Sequence, residues 1–372
     1  MSRWLVAPHE YKGTLSAAEA AAALAEGLRE GAPEAELDVA PLADGGPGTV
    51  DALLAGVGGE RVTHTVQGPL GAPVEAAYGL LDGGRTAVIE MAAASGLSLL
   101  TPEERDPRRA STYGTGELLR AALERGCERV ILGLGGSATN DGGTGALTAL
   151  GFRFLDAHGA PLPPGGAALR RLARVDASHR HPRLNEVELL VATDVTAPLL
   201  GPDGASLLFG PQKGADEAAV AELEAALAHF AQVLSPERAW LPGAGAAGGF
   251  GYGLATLAGG KLVSGYGLVA RTLRLPERLA VADAVLTGEG RFDRQTALGK
   301  GPGALAKEAR ALGRHTVMFA GIVAPDVDAS TSPFDEVIEL STSTPPGTPP
   351  AEALSQAGAR WAARTCRAGI SR

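Results

Sequence analysis

The sequence predicts an α/β protein in which both ends of the chain form one doubly wound domain and the middle forms a second, inserted α/β domain. Strands and helices alternate at crossover spacing in the first 60 residues, and the same alternation returns from residue 282. Between these regions, strand candidates follow one another closely without helices. We therefore assign residues 1–60 and 282–372 to the first domain and residues 61–281 to the inserted domain.

The N-terminal region begins with a strand, a helix and a second strand. The predicted ranges are 4–7 for the first strand, 17–30 for the helix and 37–41 for the second strand. Ser16 and Glu19 stand three residues apart at the start of the helix. This spacing is typical of a capping box, in which the two side chains bond the exposed N–H groups of the first helical turn.

The middle of the chain begins with three short strand candidates, at 61–67, 74–81 and 86–91. Only turn residues separate them, which predicts an antiparallel meander. A helix at 117–124, a strand at 129–134, a helix after Asp141, a strand at 187–192 and a helix at 216–234 follow. We expect a loop or a tightly packed backbone at 242–260, since eight of the 20 residues 241–260 are glycine.

The C-terminal region returns to alternating strands and helices. Its predicted elements are a strand at 283–287, a helix at 302–312, strands at 316–320 and 337–340, a polar loop at 341–350 and a helix at 351–367. This order is what a parallel sheet with crossover helices requires.

The composition favours a cytoplasmic protein that acts on small molecules. A formal charge of −9 and a pI near 5.4 argue against a nucleic-acid partner, because phosphate backbones need a basic face. Two cysteines, Cys127 and Cys366, are too few for a disulfide framework. The uncharged stretch at 241–260 contains too much glycine for a bilayer helix, so we expect no membrane partner. The sequence does not decide the oligomeric state, and a homo-oligomer remains open.

A glycine-rich turn, GLGGSATNDGG (133–143), connects a predicted strand to a predicted helix. Glycines expose backbone N–H groups, and the helix that follows adds the positive end of its dipole, which together favour an anion. We therefore predict that this turn holds phosphate groups through Gly135, Gly136, Ser137, Thr139 and Asn140.

Six segments combine glycine with Asp, Asn or Lys beside a predicted strand end. They are HEYKGTLS (9–16), ADGGPGT (43–49), GLGGSATNDGG (133–143), TDVTAPLLGPDGA (193–205), FGPQKGA (209–215) and TGEGRFDRQTALGK (287–300). Carboxylates with hydroxyls and amides nearby suit Mg²⁺, which prefers oxygen ligands. Phosphoryl transfer needs positioning, a metal and cations near the moving charge, so this combination indicates a phosphotransferase.

The lysines support the same interpretation. Only five of the 33 basic residues are lysine, and Lys12, Lys213, Lys261 and Lys300 each have a glycine neighbour. A compact ammonium beside permissive backbone suits a phosphate contact. We predict that role for Lys12, Lys213 and Lys300.

Two common nucleotide-binding motifs do not fit. No GxxxxGK[ST] motif occurs in the sequence, which argues against a P-loop kinase. The GxGxxG pattern that begins at Gly133 has Ala138 in place of its third glycine and lies in the middle of the chain. A nicotinamide-dependent dehydrogenase therefore does not follow from the sequence.

The six segments, in this order, resemble the type II glycerate kinases, which phosphorylate D-glycerate with ATP. The resemblance extends from Ala7 to Lys300, and GGSATNDGG and GPQKGA agree without a change. It implies a two-domain α/β kinase with a Rossmann-like domain, ATP and Mg²⁺ as cofactors and D-glycerate as substrate. The chain departs from the family pattern at four positions, where the family usually has Asp, Ser, Phe and Glu: His9, Glu10, Tyr11 and Pro47.

The resemblance and the residue chemistry together suggest roles for the site. Asp194 and Asp293 are the candidates for metal ligand and general base, in an order that the sequence does not fix, and Asp141 is a further metal candidate. Lys12 and Lys300 are assigned to catalysis. The remaining assignments are Lys213 and Glu289 to the nucleotide, and Asp44, Gly45 and Gly46 to the substrate.

Three alternatives remain open at this stage. The product is 2-phosphoglycerate in the preferred interpretation and 3-phosphoglycerate in the first alternative. The second alternative is a kinase of another small sugar acid. The third is a regulator that binds a ligand without catalysis, although a regulator has less need of so many carboxylates and lysines.

Overall fold

The computed structural model describes residues 2–297, 301–325, 327 and 332–368. The chain divides into two compact units. Unit 1 consists of Met1–Ala43, Asp51–Gly58 and Tyr266–Arg372, and unit 2 consists of Asp44–Val50 and Gly59–Gly265. The domain boundaries drawn from the sequence, at 60/61 and 281/282, stay a prediction.

The strands form one sheet in each unit and a small two-stranded ribbon. In chain order they are β1 (Arg3–Val6), β2 (Glu36–Val39), β3 (Glu60–Gln67), β4 (Pro73–Leu81), β5 (Thr86–Glu90), β6 (Arg129–Gly133), β7 (Arg153–Leu155), β8 (Arg174–Asp176), β9 (Glu188–Ala192), β10 (Lys261–Val263), β11 (Ala284–Phe292), β12 (His315–Val323) and β13 (Glu336–Glu339).

The helices vary in length from single turns to 19 residues. In chain order they are α1 (Ala17–Gly31), α2 (Thr49–Val57), α3 (Ala92–Ser95), α4 (Tyr113–Glu124), α5 (Thr144–Ala149), α6 (Ala205–Phe209), α7 (Glu217–Leu234), α8 (Ala246–Leu257), α9 (Gly265–Thr272), α10 (Leu275–Val281), α11 (Arg294–Ala297), α12 (Pro302–Ala311), α13 (Leu340–Ser343) and α14 (Pro350–Ala368). Within the described ranges, none of these helices has the length and apolar character needed to cross a membrane.

Unit 1 is built on a parallel sheet with the strand order β13-β12-β11-β1-β2. Trp4 of β1 pairs with Leu37 of β2 on one side and with Ala284 of β11 on the other. The N-terminal strand therefore lies between strands from both ends of the chain. This arrangement confirms the predicted α/β domain built from the two chain ends.

Helix α1 shows how local sequence fixes the elements of unit 1. Ser16 and Glu19 form the predicted capping box, with the Ser16 N–H donating to the Glu19 carboxylate over 2.8 Å. These bonds lower the pKa of Glu19. Helix α1 then packs closely on α14, since a Cβ added at Gly27 would lie 1.8 Å from the Ser355 carbonyl oxygen. Glycine at position 27 therefore permits the close approach of the two helices.

Unit 2 is built on a mixed sheet with the strand order β10-β9-β6-β5-β4-β3. Strands β3, β4 and β5 are antiparallel neighbours, which confirms the predicted meander. Strands β5, β6, β9 and β10 run parallel. Their carboxyl ends share one edge of the sheet, the edge at which open α/β sheets usually carry their sites.

Of the two alternatives predicted for 242–260, the loop is wrong, because α8 occupies most of this stretch, and the tightly packed backbone is confirmed. Its glycines are sites of close backbone contact. A Cβ at Gly253 would lie 2.1 Å from the Gly142 carbonyl oxygen, and one at Gly251 would lie 2.4 Å from that of Gly243. Tertiary packing therefore outweighs the low helix propensity of glycine here.

Candidate functional site

In unit 2, three parallel strands end beside one another, and two of them lead into predicted site residues. Gly133, at the end of β6, pairs with Glu90 of β5 and with Ala192 of β9. The phosphate-loop candidate, which we call the 133–143 loop, continues from β6, and Asp194 lies two residues beyond β9. The sheet therefore brings the loop and Asp194 to the same edge.

The segment that contains Asp44, Gly45 and Gly46 packs directly against the 133–143 loop. A Cβ at Gly133 would lie 2.2 Å from the Gly45 carbonyl oxygen, and one at Gly135 would lie 2.5 Å from the Gly46 Cα. The Gly135 N–H donates to the Gly45 carbonyl over 3.3 Å. Glycine is required at these positions because each backbone occupies the space that a side chain would need.

Asp44 and Asp194 both approach Gly265. One oxygen of Asp194 accepts the Ser264 hydroxyl over 2.8 Å and the Gly265 N–H over 2.9 Å. A Cβ at Gly265 would lie 1.9 Å from the Asp44 carbonyl oxygen and 3.3 Å from the second carboxylate oxygen of Asp194. The structure thus gathers the predicted substrate residue Asp44 and the predicted catalytic residue Asp194 in one region of unit 2.

The 133–143 loop has an accessible tip and a buried base. The tip consists of Gly135, Gly136 and Ser137, which are partly or fully exposed, whereas residues 138–143 are buried. Gly136 has a φ of 73°, in the region that favours glycine. Within the described residues, neither the Gly136 N–H nor the Ser137 N–H donates a hydrogen bond to the chain. The tip therefore presents two unengaged donors beside Gly46 and Pro47.

Asp141 organises the base of the loop. Its carboxylate accepts the Thr112 N–H and hydroxyl over 2.9 Å each, the Gly143 N–H over 3.0 Å and the Gly145 N–H over 3.1 Å. Burial raises the pKa of Asp141, and these donors oppose that shift by stabilising the charged form. Both oxygens accept hydrogen bonds within the protein, so a metal ion would have to compete with these four bonds. The metal contact of Asp141 stays a prediction.

Thr139 and Asn140 are also part of the buried base. The Asn140 side-chain amide donates to the Ser206 hydroxyl over 3.1 Å. The Thr139 hydroxyl and the Asn140 side-chain carbonyl have no hydrogen-bond partner among the described residues, although both side chains are fully buried. Neither side chain reaches solvent. Their contact with nucleotide phosphates stays a prediction.

Lys213 is buried beneath the loop, with 2% of its surface exposed. Its ammonium donates to the Thr139 carbonyl over 2.7 Å. Burial lowers the pKa of Lys213 to about 7, and the charge of Asp141 opposes this shift. The structure thus ties the FGPQKGA motif to the loop from below, and the predicted contact of Lys213 with the nucleotide stays a prediction.

A strained turn at the start of α8 supports the same loop from another side. Ala247, Gly248 and Gly249 all have positive φ, between 54° and 86°. The Gly248 carbonyl accepts the Gly142 N–H over 3.0 Å. A left-handed conformation at Ala247 is costly for a residue with a Cβ. The sequence prediction missed this contact, although the pair of glycines at 248 and 249 was a signal for an unusual backbone.

In unit 1, a second group of predicted residues lies along β1 and β11. The His9 N–H donates to the Gly288 carbonyl over 2.8 Å, and the Tyr11 hydroxyl donates to the Phe319 carbonyl over 2.7 Å. A Cβ at Gly290 would lie 3.2 Å from the Lys12 nitrogen of the backbone. The HEYKG and TGEGR motifs therefore contact each other.

The side chains of this second group differ in accessibility. Lys12 is exposed, and Glu289 and Asp293 are partly buried. Burial, and then the charge of Glu289, raises the pKa of Tyr11. One oxygen of Asp293 accepts the Thr296 N–H over 3.4 Å. Lys300 lies outside the described residues, so the structure says nothing of its position.

The site contains residues that the sequence prediction missed. The Glu90 carboxylate accepts the Val50 N–H over 2.6 Å and so holds the end of the ADGGPGT segment. Thr112 supplies two of the four bonds to Asp141. Glu90 is a carboxylate at the end of the predicted strand 86–91, and this position is a signal that the sequence contains. No local pattern points to Thr112.

The side chains of the site offer few ligands to a divalent metal. Among the described residues, no group of three or more His, Cys, Asp or Glu side chains is arranged to hold a metal ion. A Mg²⁺ ion that accompanies a nucleotide needs only one or two carboxylates, because water and phosphate supply the other ligands. Asp194 in unit 2 and Asp293 in unit 1 each offer one carboxylate, which by itself is enough for such an ion.

Comparisons with known proteins identify the family. A sequence profile of the Glycerate kinase family matches residues 4–368. The glycerate kinase of Bacillus subtilis (strain 168) is 43% identical over 98% of this chain and 95% of its own length. The glycerate 2-kinase of Escherichia coli (strain K12) is 45% identical over 87% of this chain and 86% of its own length.

A solved structure agrees over the whole chain. A crystal structure of a protein from Salmonella typhimurium LT2, provisionally named glycerate kinase 2, has a TM-score of 0.88 and 41% identity and covers 100% of both chains. The range matched by the family profile includes the Asp44 segment, the 133–143 loop and Asp194. The chain therefore belongs to the glycerate kinase family.

Proposed function

We propose that this chain is an ATP-dependent kinase that phosphorylates D-glycerate at its 2-hydroxyl and releases 2-phosphoglycerate and ADP. The observation that carries the proposal is the accessible tip of the 133–143 loop. Its two unengaged N–H groups, of Gly136 and Ser137, lie beside Gly46 and Pro47 at the carboxyl ends of parallel strands. The E. coli relative, named a glycerate 2-kinase, supports the choice of product.

The phosphate-binding role follows from the chemistry of the tip. Backbone N–H groups that have no acceptor in the protein can bind phosphate oxygens without rearrangement, which is the basis of electrostatic preorganisation. The Ser137 hydroxyl adds a third donor. The buried base, held by Asp141 and Lys213, keeps these donors in place because every loop residue from 138 onward is enclosed.

The carboxylates supply the remaining roles. Either Asp194 or Asp293 accepts the proton of the glycerate hydroxyl. The hydroxyl oxygen of glycerate then bonds to the γ-phosphorus of ATP, the bond between that phosphorus and the β–γ bridging oxygen breaks, and ADP leaves. The other carboxylate holds Mg²⁺, which neutralises phosphate charge when bound. Asp44 accepts a hydrogen bond from a glycerate hydroxyl, and Lys12 and Lys300 stabilise the transferred group.

A coupled assay of ADP release tests the proposal. The purified chain would be supplied with Mg²⁺ and ATP together with D-glycerate, L-glycerate or no acceptor, and the product would be identified by phosphorus NMR. Turnover with D-glycerate and a 2-phosphate resonance is the expected result. A 3-phosphate resonance would correct the product, and turnover only with another sugar acid would correct the substrate. Tight ligand binding without turnover would favour a regulator.

A further inference from the structure

The segment between β5 and α4 contacts the 133–143 loop at two places. Gly96 forms an antiparallel bridge with Ser137, and the Leu97 N–H donates to the Gly136 carbonyl over 2.8 Å. At the other end, the Thr112 N–H and hydroxyl donate to Asp141 over 2.9 Å each. The 96–112 segment is therefore fixed at one end to the tip of the loop and at the other end to its base.

Arg105 lies in the middle of this segment and packs on the FGPQKGA motif. A Cβ at Gly214 would lie 2.6 Å from the Arg105 carbonyl oxygen and 2.8 Å from the Arg105 Cβ. Gly214 has a φ of 94°, so glycine is required both by conformation and by space. The neighbouring Lys213 bonds the Thr139 carbonyl, so the backbone of Arg105 is held against the structure that supports the loop.

The guanidinium of Arg105 has no acceptor among the described residues. Its Nε is buried, and the side chain is half-buried. The carboxylates on either side are engaged elsewhere. Glu104 accepts the Thr101 N–H over 2.9 Å, and Asp106 accepts the Arg108 Nε over 2.9 Å.

Other arginines with a buried, unpartnered Nε differ from Arg105. Arg3 contacts Glu36 and Asp38 within 3.7 Å, Arg183 donates to the Cys127 carbonyl, and Arg314 donates to the Ala280 carbonyl. Each of these side chains has at least one acceptor in the protein. The Nε of Arg105, in contrast, is out of contact with water and has no partner on the whole guanidinium, so this side chain suits an anion that is supplied from outside the chain.

We propose that Arg105 binds an anionic group of a substrate, a carboxylate or a phosphate, next to the 133–143 loop. The proposal rests on the proposed kinase function and adds a residue that binds substrate. Arginine fits both anions, because its planar guanidinium donates two parallel bonds to carboxylate or phosphate oxygens. The acid substrate offers a carboxylate, and the nucleotide offers phosphates.

Three variants test the proposal. Arg105→Met removes the charge and the donors, and Arg105→Lys keeps the charge but loses the planar fork. Arg109→Met is the matched control, because Arg109 is exposed in the same segment. Affinities for D-glycerate, ADP and adenosine would be measured by calorimetry, together with KM and kcat where turnover occurs.

We expect Arg105→Met to weaken one anionic ligand by about 10- to 100-fold, the effect of losing a charged hydrogen bond. Arg105→Lys should fall between Arg105→Met and the wild type, and Arg109→Met should stay within about twofold of it. A loss for D-glycerate alone identifies the carboxylate. A loss for ADP with adenosine unchanged identifies the phosphate.

Two results would overturn the inference. One is unchanged affinity for both D-glycerate and ADP in a folded Arg105→Met protein. The other is an equal loss in Arg105→Met and Arg109→Met.

If Arg105→Met does not fold, labelling of the wild type with phenylglyoxal replaces it. Protection of Arg105 by one ligand supports the proposal, and equal labelling with and without each ligand contradicts it. ADP binding is measured without turnover, so a failed kinase assay and a failed role of Arg105 are distinguishable.

Discussion

Lys213 donates a hydrogen bond to the carbonyl of Thr139 over 2.7 Å from a position that is almost completely buried. An ammonium in that position is an unusual support for a loop, because burial penalises its charged form. The nearest compensation is the charge of Asp141. This relationship makes the stability of unit 2 sensitive to pH in a direction that can be measured.

Lys213→Met should change how stability depends on pH. The folded pKa of Lys213 is lowered to about 7 from its ordinary value of 10.5. Between these values the unfolded chain binds a proton that the folded chain has released, so the contribution of Lys213 to stability rises with pH, by roughly 1 kcal/mol per unit. The unfolding free energy of the wild type minus that of the variant should therefore increase from pH 7 to pH 10.

Chemical denaturation at a series of pH values checks this expectation. Lys307→Met serves as the control, because Lys307 is an exposed lysine. A difference between wild type and Lys213→Met that is constant over the same range would mean that Lys213 keeps an ordinary pKa in the folded protein.

Asp141→Asn should destabilise the protein strongly. The substitution replaces one acceptor oxygen by an N–H₂ group and leaves buried donors of Thr112, Gly143 or Gly145 without a partner. Each unsatisfied donor costs about 1 to 3 kcal/mol, so we expect a loss of about 3 kcal/mol or more in the free energy of unfolding. Urea denaturation followed by circular dichroism measures it.

Asp156→Asn is a suitable control for Asp141→Asn. Asp156 is partly exposed and accepts the His158 and Ala160 N–H groups through a single oxygen, which an asparagine can also provide. We expect a change within about 0.5 kcal/mol. If Asp141→Asn instead keeps its stability and raises the Mg²⁺ concentration needed for half-maximal rate, Asp141 is a metal ligand and not a support of the loop.

Asp194→Asn and Asp293→Asn should each reduce kcat by about 10²- to 10³-fold, by analogy with the loss of one preorganised group. Asp203→Asn is the control for Asp194→Asn, because Asp203 is an exposed aspartate in the same motif. Steady-state kinetics with D-glycerate and ATP provide the measurement. Our assignment of the two carboxylates fails if kcat of both variants stays within about threefold of wild type.

Ala247→Gly should stabilise the protein by roughly 1 kcal/mol, because glycine adopts the left-handed conformation without the cost that a Cβ adds. Ala247 has a φ of 54° and a ψ of 41° and is followed by Gly248, which bonds the 133–143 loop. Thermal unfolding measures the effect. A lower melting temperature for the variant would show that the methyl group of Ala247 contributes more through packing than its backbone costs.

The sequence predicted those features that depend on local chemistry. The capping box of Ser16 and Glu19 and the strand that leads into the 133–143 loop were both read from short patterns. The division of the loop into an accessible tip and a buried base was not predicted. It depends on which distant segments cover Thr139 and Asn140, and those contacts come from residues 206, 213 and 248.

The same limit explains the error at 242–260. Glycine content indicated a loop, because glycine disfavours helices in isolation. In the structure, Gly251 and Gly253 lie on a helix, where they allow two backbones to touch. Arg105 illustrates the limit for function, since nothing in its local sequence distinguishes it from Arg108 or Arg109.

The position of β1 between β2 and β11 has a consequence for synthesis. Trp4 needs Leu37 on one side and Ala284 on the other, and the second partner is translated 280 residues later. At a translation rate of about 5 to 20 residues per second, the ribosome needs roughly 15 to 60 s to synthesise the residues between Trp4 and Ala284. Every residue of unit 2 has been made by then, since it ends at Gly265. A nascent chain therefore carries an open strand edge for most of its time on the ribosome, and that edge is where a chaperone or a second nascent chain would pair.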